Sequence, residues 1–526
     1  MTIYDLMFSL AEKIFRAENV ATCAKTPLSC RAQTYFAIGN IGRLDLEEEW
    51  EYMARYENNL VVVGAGSAGL IASLIGATVR AKVVLIEEDR MGGDCLNTGC
   101  VPSKTLISSA RVAHAVRHSD EFGINSSEVN IDFDRIMLRI RSAIKEIEPN
   151  DSIERYTELG VECIKGHAQL VDPHRVQVNG REISSRSIVL AIGAEPQIPP
   201  VPGLRESNPL TSENLWEIQE LPKRLVVIGG GPIGCELAQA FARLGSEVSV
   251  VEQMDRLLPI EDDDVSNLIA NKFKTEGIRV LTGHRAARCS DNQLTVVNGS
   301  VHEQLDFDRV LVATGRSPRG ENMGLSEVGV VRNEDGSIDV NDYLQSRIRS
   351  IYACGDVVGP YQFTHMASHQ AWYAAMNALL RPFWRFSFDS NVIAWTTFTD
   401  PEVARVGLNE TQLKERSIPF EVTEHKFNEV DRAITDGSTE GFVKLLTKPK
   451  SDRLLGACIV GQSAGDLISS CINAMTHGYG MNKVLSTLHV YPTRTEAIRL
   501  ASGSRRRKHA PEGLLRIAAR LNGLLR

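Results

Sequence analysis

The sequence has few of the features that mark membrane-spanning, secreted or nucleic-acid-binding proteins. No uninterrupted apolar run reaches the roughly 18 residues of a spanning helix, and the chain does not open with a basic and then apolar segment. The formal net charge is −8, so no overall positive field favours nucleic acid, although the extreme C-terminus is locally basic. We therefore expect a cytoplasmic protein that binds no nucleic acid. Its 526 residues allow three or four domains of about 150 residues each.

Cysteine is also sparse, with ten residues scattered over the chain. This spacing differs from the dense disulfide framework of small secreted domains. One pair is close together, Cys95 and Cys100 in the stretch GGDCLNTGCVPSK. In a reducing compartment such a pair is more typical of catalysis or metal binding than of structural cross-linking.

A strand, a glycine turn, a helix and a second strand follow one another in NNLVVVGAGSAGLIASLIGATVRAKVVLIEE. Gly64 permits the tight turn, Gly66 lets the backbone approach a pyrophosphate, and Gly69 lets the helix pack on the strand. Glu87 ends the second strand, where a carboxylate accepts hydrogen bonds from ribose hydroxyls. The stretch predicts a dinucleotide site.

The same pattern returns in KRLVVIGGGPIGCELAQAFARLGSEVSVVEQMDRLLP, with Gly229, Gly231 and Gly234 in the turn. Glu252 closes the second strand, where it would accept from a 2′-hydroxyl and repel a 2′-phosphate. The pattern therefore predicts a second nucleotide site with NADH preferred over NADPH. The alternative is that Glu252 is a solvated acid and that Arg256 binds a phosphate.

Three further stretches organise the rest of the chain. SIVLAIGAEP and RVLVATGRSP resemble each other and flank the second nucleotide unit, as domain crossovers do. SIYACGDVVG places Asp356 after a short strand, where it is either a ligand-binding carboxylate or an ordinary turn residue. From about residue 391, apolar and polar residues alternate as in antiparallel strands, which indicates a separate α+β domain.

The last residues, ASGSRRRKHAPEGLLRIAARLNGLLR, begin with a basic run and then place apolar side chains on one helical face, namely Leu514, Ile517, Leu521 and Leu524. One interpretation is a short helix packed on the body, or a solvated tail. The other is a peripheral membrane or partner helix formed by residues 504–526.

Three functions are considered for Cys95 and Cys100: metal binding, a structural disulfide and redox chemistry. Zinc sites usually combine a close pair with a second ligand pair, and none is evident. A reducing compartment disfavours a structural disulfide. Redox use is the third, because four intervening residues on a helix would place both sulfurs on neighbouring turns of one face.

With these motifs the chain resembles the flavoprotein disulfide reductases, the group of dihydrolipoamide dehydrogenase, glutathione reductase and mercuric reductase, over about residues 58–500. The resemblance rests on GGDCLNTGCVPSK, the second glycine motif, ATG, YACGDV and YPTRTE, which occur in family order. It implies two Rossmann-like domains and a C-terminal α+β dimerisation domain in a homodimer, where the C-terminal domain completes the partner's active site. The implied segments are 1–57 (extension of unknown role), 58–200 and 316–385 (FAD), 201–315 (NAD(P)H), 386–500 (dimerisation) and 501–526 (tail).

The resemblance also implies roles for particular residues. Hydride passes from the nicotinamide to the flavin, reduced flavin opens the Cys95–Cys100 disulfide, Cys100 contacts the flavin and Cys95 attacks the substrate. A cationic Lys104 stabilises negative charge on the reduced ring. FAD would be held by Gly64, Gly66, Gly69, Glu87, Gly93, Lys104, Gly193, Gly355 and Asp356, and NAD by Gly229, Gly231, Gly234, Glu236, Glu252 and Gly315.

One position departs from the thiol-handling members, which carry histidine before the proline of the C-terminal motif. Here LHVYPTRTEAI has Tyr491 there, with Glu496 retained. An unperturbed tyrosine, with a pKa of about 10, cannot act as the base at neutral pH, and His489 is the conceivable replacement. Tyrosine at this position is similar to mercuric reductases, as is TFTDPEVARVGL, but the vicinal C-terminal cysteine pair is absent, since the last cysteine is Cys471.

The sequence therefore predicts an NADH-dependent FAD reductase that uses its dithiol on a small electrophilic acceptor: a soft metal ion, a quinone or an unidentified disulfide. Dihydrolipoamide dehydrogenase-type dithiol oxidation is an alternative. A membrane-surface electron-transfer component, bound at the inner face through residues 504–526, and a redox-sensing flavoprotein are others. No resident metal site is expected.

Overall fold

A computed structural model describes residues 56–125, 129–388 and 392–526. The expected extension 1–57 lies, apart from its last two residues, outside this part of the chain. The strands in chain order are β1 (Asn58–Val63), β2 (Val83–Glu87), β3 (Val161–Lys165), β4 (Gln169–Asp172), β5 (Arg175–Val178), β6 (Arg181–Leu190), β7 (Ala194–Pro196), β8 (Arg224–Ile228), β9 (Glu247–Glu252), β10 (Arg279–Thr282), β11 (Arg285–Ser290), β12 (Gln293–Asn298), β13 (Val301–Asp306), β14 (Arg309–Val312), β15 (Arg316–Pro318), β16 (Ile351–Ala353), β17 (Ala394–Thr397), β18 (Glu402–Gly407), β19 (Glu421–Lys426), β20 (Phe442–Thr447) and β21 (Leu454–Gly461).

The α-helices of the described residues are α1 (Ser67–Thr78), α2 (Gly93–Asn97), α3 (Cys100–Arg117), α4 (Phe133–Ile147), α5 (Ile153–Glu158), α6 (Pro232–Leu244), α7 (Asp263–Thr275), α8 (Thr364–Leu380), α9 (Glu410–Glu415), α10 (Asp431–Thr435), α11 (Ala464–Leu467), α12 (Ser469–Thr476), α13 (Met481–Ser486), α14 (Glu496–Lys508) and α15 (Glu512–Leu524).

The first sheet has the order β3-β2-β1-β6-β5-β4, with β16 also paired to β6. Its parallel strands β1 and β2, and the end of β6, are nearly continuous runs of Val, Leu and Ile, because helices cover both faces of such a sheet. The hairpin of β4 and β5 joins antiparallel to the first half of β6. This arrangement brings the carboxyl ends of β1, β2, β6 and β16 to one edge, where ligands bind in such folds.

The second sheet is parallel, in the order β10-β9-β8-β14, and a three-stranded antiparallel sheet of β11, β12 and β13 accompanies it. The two predicted crossovers meet, because β7 pairs antiparallel with β15. The chain thus leaves the first unit and returns to it at one place.

The C-terminal sheet is antiparallel in the order β17-β18-β21-β20-β19. Its core contains Val443 and Ile459 from the strands, and Ile498 and Ala501 from α14. The mixed α/β architecture, with two nucleotide-type sheets and a C-terminal α+β unit, agrees with the prediction.

The basic run near the C-terminus differs from the predicted tail. Helix α14 crosses the expected boundary at residue 501, and its Arg505 is buried, with Nε donating to Thr447 Oγ1 at 2.9 Å. Residues 501–508 of the expected tail therefore belong to helix α14. Helix α15 follows, and all of its residues are exposed. In the described part of the chain, no helix is long and apolar enough to cross a membrane.

Candidate active site

The first glycine turn lies between β1 and α1. Gly64 has φ +97°, and a Cβ there would lie 2.3 Å from Ala191 O. A Cβ on Gly69 would lie 1.7 Å from Gly64 O, so this position needs glycine for packing. A Cβ on Gly66 would meet only Gly93, at 3.8 Å. The fold itself therefore leaves room for a side chain at Gly66.

Helix α1 begins at this turn with no side-chain cap and no acidic residue in its first turn. Its first N–H groups therefore point into the cleft as an anion site. Glu87 lies at the end of β2, where Oε2 accepts from the N–H of Ala65 at 2.5 Å and Oε1 from the N–H of Asp89 at 2.8 Å. Burial raises the pKa of Glu87. Each oxygen keeps a lone pair for a ribose hydroxyl.

A cleft of about 610 Å³ runs from this turn to the cysteine pair. It is lined by Gly64, Gly66, Glu87, Gly93, Cys95, Gly193, Gly355, Asp356 and Thr364, among others. Asp356 faces Arg316 at 3.8 Å, and Arg316 also binds Asp94. Burial raises the pKa of Asp356 to about 6, against the opposing effect of Arg316. The glycines, helix terminus and carboxylates form a cradle that suits a dinucleotide.

Gly93 brings the cysteine segment against the glycine turn. It has φ +55°, and a Cβ there would lie 2.6 Å from the Cα of Gly66. Cys95 then lies in α2 and Cys100 begins α3. The prediction of one continuous helix is wrong: the N–H groups of Thr98 and Gly99 both bind Asp94 O, which ends α2 before α3 starts.

The two thiols differ in their electrostatics. The pKa of Cys100 is lowered to about 6, mainly by a hydrogen bond from Cys95. Thr364 and Lys104 lower it further. The Sγ of Cys100 lies 3.3 Å from Thr364 Oγ1. The first residue of α3 also benefits from the positive end of the helix dipole. The same hydrogen bond raises the pKa of Cys95. Cys100 is therefore the more acidic thiol of the pair.

Lys104 lies one turn after Cys100 on α3. Its Nζ donates to Glu236 Oε2 at 2.8 Å and lies 4.5 Å from the ring centroid of Phe398. Glu236 is buried and also accepts from the N–H of Phe398 at 2.9 Å. The pair joins the cysteine helix to α6 of the second nucleotide unit.

The second glycine turn repeats the first. Gly229 has φ +112°, with Ala313 O 2.3 Å from an added Cβ, and a Cβ on Gly234 would lie 1.9 Å from Gly229 O. A Cβ on Gly231 would meet nothing within 4 Å. Helix α6 begins there without a side-chain cap. Gly315, with φ +122°, lies on the return crossover, and a Cβ there would be 4.0 Å from Gln197 Oε1.

Glu252 ends β9, as predicted, but it is buried. Its Oε2 accepts from the N–H of Gly230 at 2.6 Å and its Oε1 from the N–H of Met254 at 2.7 Å. The solvated alternative is therefore wrong. Arg256, the proposed phosphate ligand of that alternative, binds Asp255 and Asp263.

The C-terminal motif residues have partners within their own domain. Tyr491 Oη donates to Asp431 Oδ2 at 2.9 Å, and Glu496 Oε1 accepts from Arg499 at 2.9 Å. His489 Nε2 contacts Val484 O at 3.1 Å. None of these described contacts links Tyr491 or Glu496 to Cys95 or Cys100 of the same chain.

Sequence reasoning missed three residues that the fold brings to the site. Thr364 contacts Cys100 from 264 positions along the chain, and nothing in its surrounding stretch marks it. Arg316 directly follows Gly315 of the ATG motif, so its position beside that motif could have identified it as a site residue. Phe398 lies within TFTDPEVARVGL and covers Lys104.

Two family models match the chain. The model described as pyridine nucleotide-disulphide oxidoreductase covers residues 58–371, and its dimerisation domain covers 393–502. The chain belongs to the pyridine nucleotide-disulphide oxidoreductase family. Members of this family are enzymes that use FAD and a pyridine nucleotide. The dimerisation domain supports a homodimer.

Relatives of this oxidoreductase carry two different names. It is 35% identical over 448 residues to a dihydrolipoyl dehydrogenase of Chlamydia pneumoniae, covering 84% of this chain and 95% of the relative. It is 32% identical over 450 residues to a mercuric reductase of Bacillus cereus, covering 85% of this chain and 71% of the relative.

Solved structures agree with the fold of this oxidoreductase. The HOCl-induced flavoprotein disulfide reductase RclA from Escherichia coli matches with a TM-score of 0.76 and 27% identity, over 85% of this chain and 99% of that one. LpdA from Mycobacterium tuberculosis matches with a TM-score of 0.78 and 26% identity, over 85% and 99%.

Proposed function

We propose that the enzyme oxidises NADH and passes the electrons through FAD and the Cys95–Cys100 pair to a soft, thiol-binding metal ion. FAD, when bound, supplies the two-electron chemistry that links nicotinamide to disulfide. The two cysteines supply the metal-facing chemistry: closing the disulfide releases two electrons and two protons. Two Cu(II) ions, for example, would thereby become two Cu(I) ions.

The observation that carries this proposal is the environment of Tyr491. Tyr491 directly precedes Pro492. Its hydroxyl donates to Asp431, and that hydrogen bond raises the pKa of Tyr491. A tyrosine held in this way can donate a proton or bind a ligand, but it does not accept a proton from a substrate thiol near neutral pH. A thiol-binding metal ion needs no such base, because binding of the metal itself releases the proton of the thiol.

The comparisons support a metal acceptor without separating it from a thiol substrate. One group of relatives carries the name mercuric reductase, and RclA was also solved as a Cu(II) complex, with a TM-score of 0.75 to this chain. Relatives named dihydrolipoyl dehydrogenase reach 35% identity, against 33% for those named mercuric reductase.

In this proposal Cys100 is the thiolate that faces the flavin, and Cys95 is the thiol that meets the acceptor. Lys104, held by Glu236, supplies positive charge beside them. The preference for NADH rests on Glu252, whose two backbone hydrogen bonds hold a carboxylate at the end of β9. A carboxylate there accepts from a 2′-hydroxyl and repels a 2′-phosphate. Comparing the KM values for NADH and NADPH tests this preference, and a lower KM for NADPH would contradict it.

The deciding experiment measures NADH oxidation driven by Hg(II) with free thiol present, or by Cu(II) without free thiol, in wild type and in Cys95→Ala. We expect metal-dependent turnover in wild type. Turnover should fall by about a hundredfold or more in the variant, because no other group replaces the missing nucleophile. Equal rates in both proteins would end the metal proposal.

A matched substitution tests the thiol alternative. We expect wild type to reduce NAD with dihydrolipoamide slowly, and Tyr491→His to gain this activity by about tenfold or more, because histidine restores a base. The retained Glu496 and the nearby His489 are the features that favour the alternative. If wild type turns over dihydrolipoamide fast, and His489→Gln abolishes that turnover, dithiol oxidation is the function.

A further inference from the structure

We propose that α15 and the basic residues before it dock the enzyme on an anionic lipid surface. The helix lies outside the part of the chain that the family models match, since the dimerisation domain match ends at residue 502. The family's catalytic unit therefore does not require it, and its own surface chemistry must account for it.

Leu514, Ile517, Leu521 and Leu524 of α15 lie on one face of the helix. At 100° per residue, Arg516 and Arg520 flank this face on one side. The four apolar side chains are 63%, 55%, 54% and 83% exposed. An exposed apolar stripe of this length flanked by basic residues is the pattern of helices that lie in a membrane interface.

The residues that precede α15 are anchored to the C-terminal sheet. Arg505 donates to Thr447 Oγ1 at 2.9 Å, and His509 Nε2 lies 2.7 Å from Glu421 Oε2, so the end of α14 is anchored to the C-terminal sheet. Pro511 then precedes α15 and interrupts the helical path. The apolar stripe is thus presented outward from a rigid base.

The positive charge of residues 504–526 favours an anionic binding partner. The described segment 504–526 contains one acidic residue, Glu512, whereas its exposed basic residues are Arg506, Arg507, Lys508, Arg516, Arg520 and Arg526. The whole chain has a net charge of −8, so positive charge is concentrated here. A second copy of α15 would bring like charges together, whereas anionic lipid headgroups attract them.

The test is co-sedimentation of the full-length holoenzyme with vesicles of phosphatidylglycerol and phosphatidylcholine, against vesicles of phosphatidylcholine alone. We expect binding to the anionic vesicles that weakens as salt rises, and little binding to the neutral ones. Ile517→Asp with Leu521→Asp, and separately Arg516→Glu with Arg520→Glu, should each weaken binding by about tenfold or more.

Helix α4 provides the matched controls, because Leu138 and Arg141 are also exposed on a helix. Leu138→Asp and Arg141→Glu should leave vesicle binding and NADH oxidation unchanged. Flavin content and NADH oxidation should also be unchanged in the α15 variants, since they lie outside the catalytic unit. Wild-type protein that does not pellet, or α15 variants that pellet equally, would overturn the proposal. So would α15 variants that change the oligomeric mass but not vesicle binding, because that result assigns the helix to a second copy.

Discussion

Cys100 differs from the other described cysteines in what surrounds its sulfur. Burial alone raises the pKa of Cys354 and of Cys471 to about 12, so these thiols stay protonated and inert. Cys100 has Cys95, Thr364 and Lys104 beside it and begins a helix. The difference is local, and it turns one thiol of many into a thiolate.

This environment predicts a pH profile for alkylation of reduced Cys100. In wild type the rate with iodoacetamide should rise with pH through a midpoint at about 6 and then level off, because the thiolate forms as pH passes the lowered pKa. Cys95→Ala removes the hydrogen bond that contributes most and should move the midpoint to higher pH. Cys95→Ser keeps a hydroxyl donor and should move it less.

Mass spectrometry of the Cys100 peptide gives the rate at each pH. The pH at which half of Cys100 is thiolate should follow the order wild type, Cys95→Ser, Cys95→Ala. Identical midpoints in all three proteins would show that the hydrogen bond does not control ionisation.

At the scale of elements, the two glycine turns repeat one design. In each, the first and last glycines are required by close backbone contacts, whereas Gly66 and Gly231 meet little or nothing of the protein. The uncapped starts of α1 and α6 face the same spaces. Fold and ligand thus place separate demands on neighbouring glycines.

Alanine at the middle glycines should therefore separate the two cofactors. Gly231→Ala should raise the KM for NADH while FAD stays bound, and Gly66→Ala should speed FAD release. In each variant the added methyl group crowds the cofactor, which should cost about 1–3 kcal/mol of binding free energy. Gly234→Ala is the contrasting variant, because its Cβ would lie 1.9 Å from Gly229 O. It should lower Tm before it changes any affinity. A Gly231→Ala enzyme with unchanged KM for NADH would contradict this assignment.

At the scale of the whole molecule, buried charges join the second nucleotide unit to the C-terminal unit. Lys444 on β20 is buried, and its Nζ lies 3.4 Å from Asp262 Oδ2, 2.5 Å from Asp264 Oδ2 and 3.0 Å from Glu410 Oε1. One cation thus holds three carboxylates from α7 and α9 together.

Lys444→Met should destabilise the protein by about 1–3 kcal/mol, since it leaves the buried Asp262 without its cation, whereas Asp264 and Glu410 still reach water. Urea unfolding at neutral pH measures the loss. Lys414→Met, on the exposed side of α9, is the control and should cost about 0–1 kcal/mol. Equal costs for the two variants would show that the network does not join the units.

The segment around Tyr491 predicts how two chains meet. Leu488 and Val490 are 97% and 75% exposed beside it, which is costly for apolar side chains in a lone chain. Val490→Asp should therefore yield monomers by light scattering, with flavin retained and turnover lost, because the partner's domain is expected to complete each site. A dimeric and active Val490→Asp would show that this segment is not at the interface.

The sequence alone determined the local elements of this protein. The glycine turn at Gly64, the acid at Glu87 and the cysteine pair are set by requirements of the backbone over a few residues, so spacing and residue type reveal them. The parallel and antiparallel sheets follow from the same local patterns of burial.

Only the tertiary structure decided which distant residues share the site. Thr364 and Cys100 are 264 positions apart, and Lys104 and Glu236 are 132 apart, so no local period encodes their contacts. The break between α2 and α3, and the burial of Arg505, likewise depend on hydrogen bonds to particular partners. Periodicity predicts which side of an element is buried, whereas packing decides what lies against it, and the ionisation of Cys100 depends on that packing.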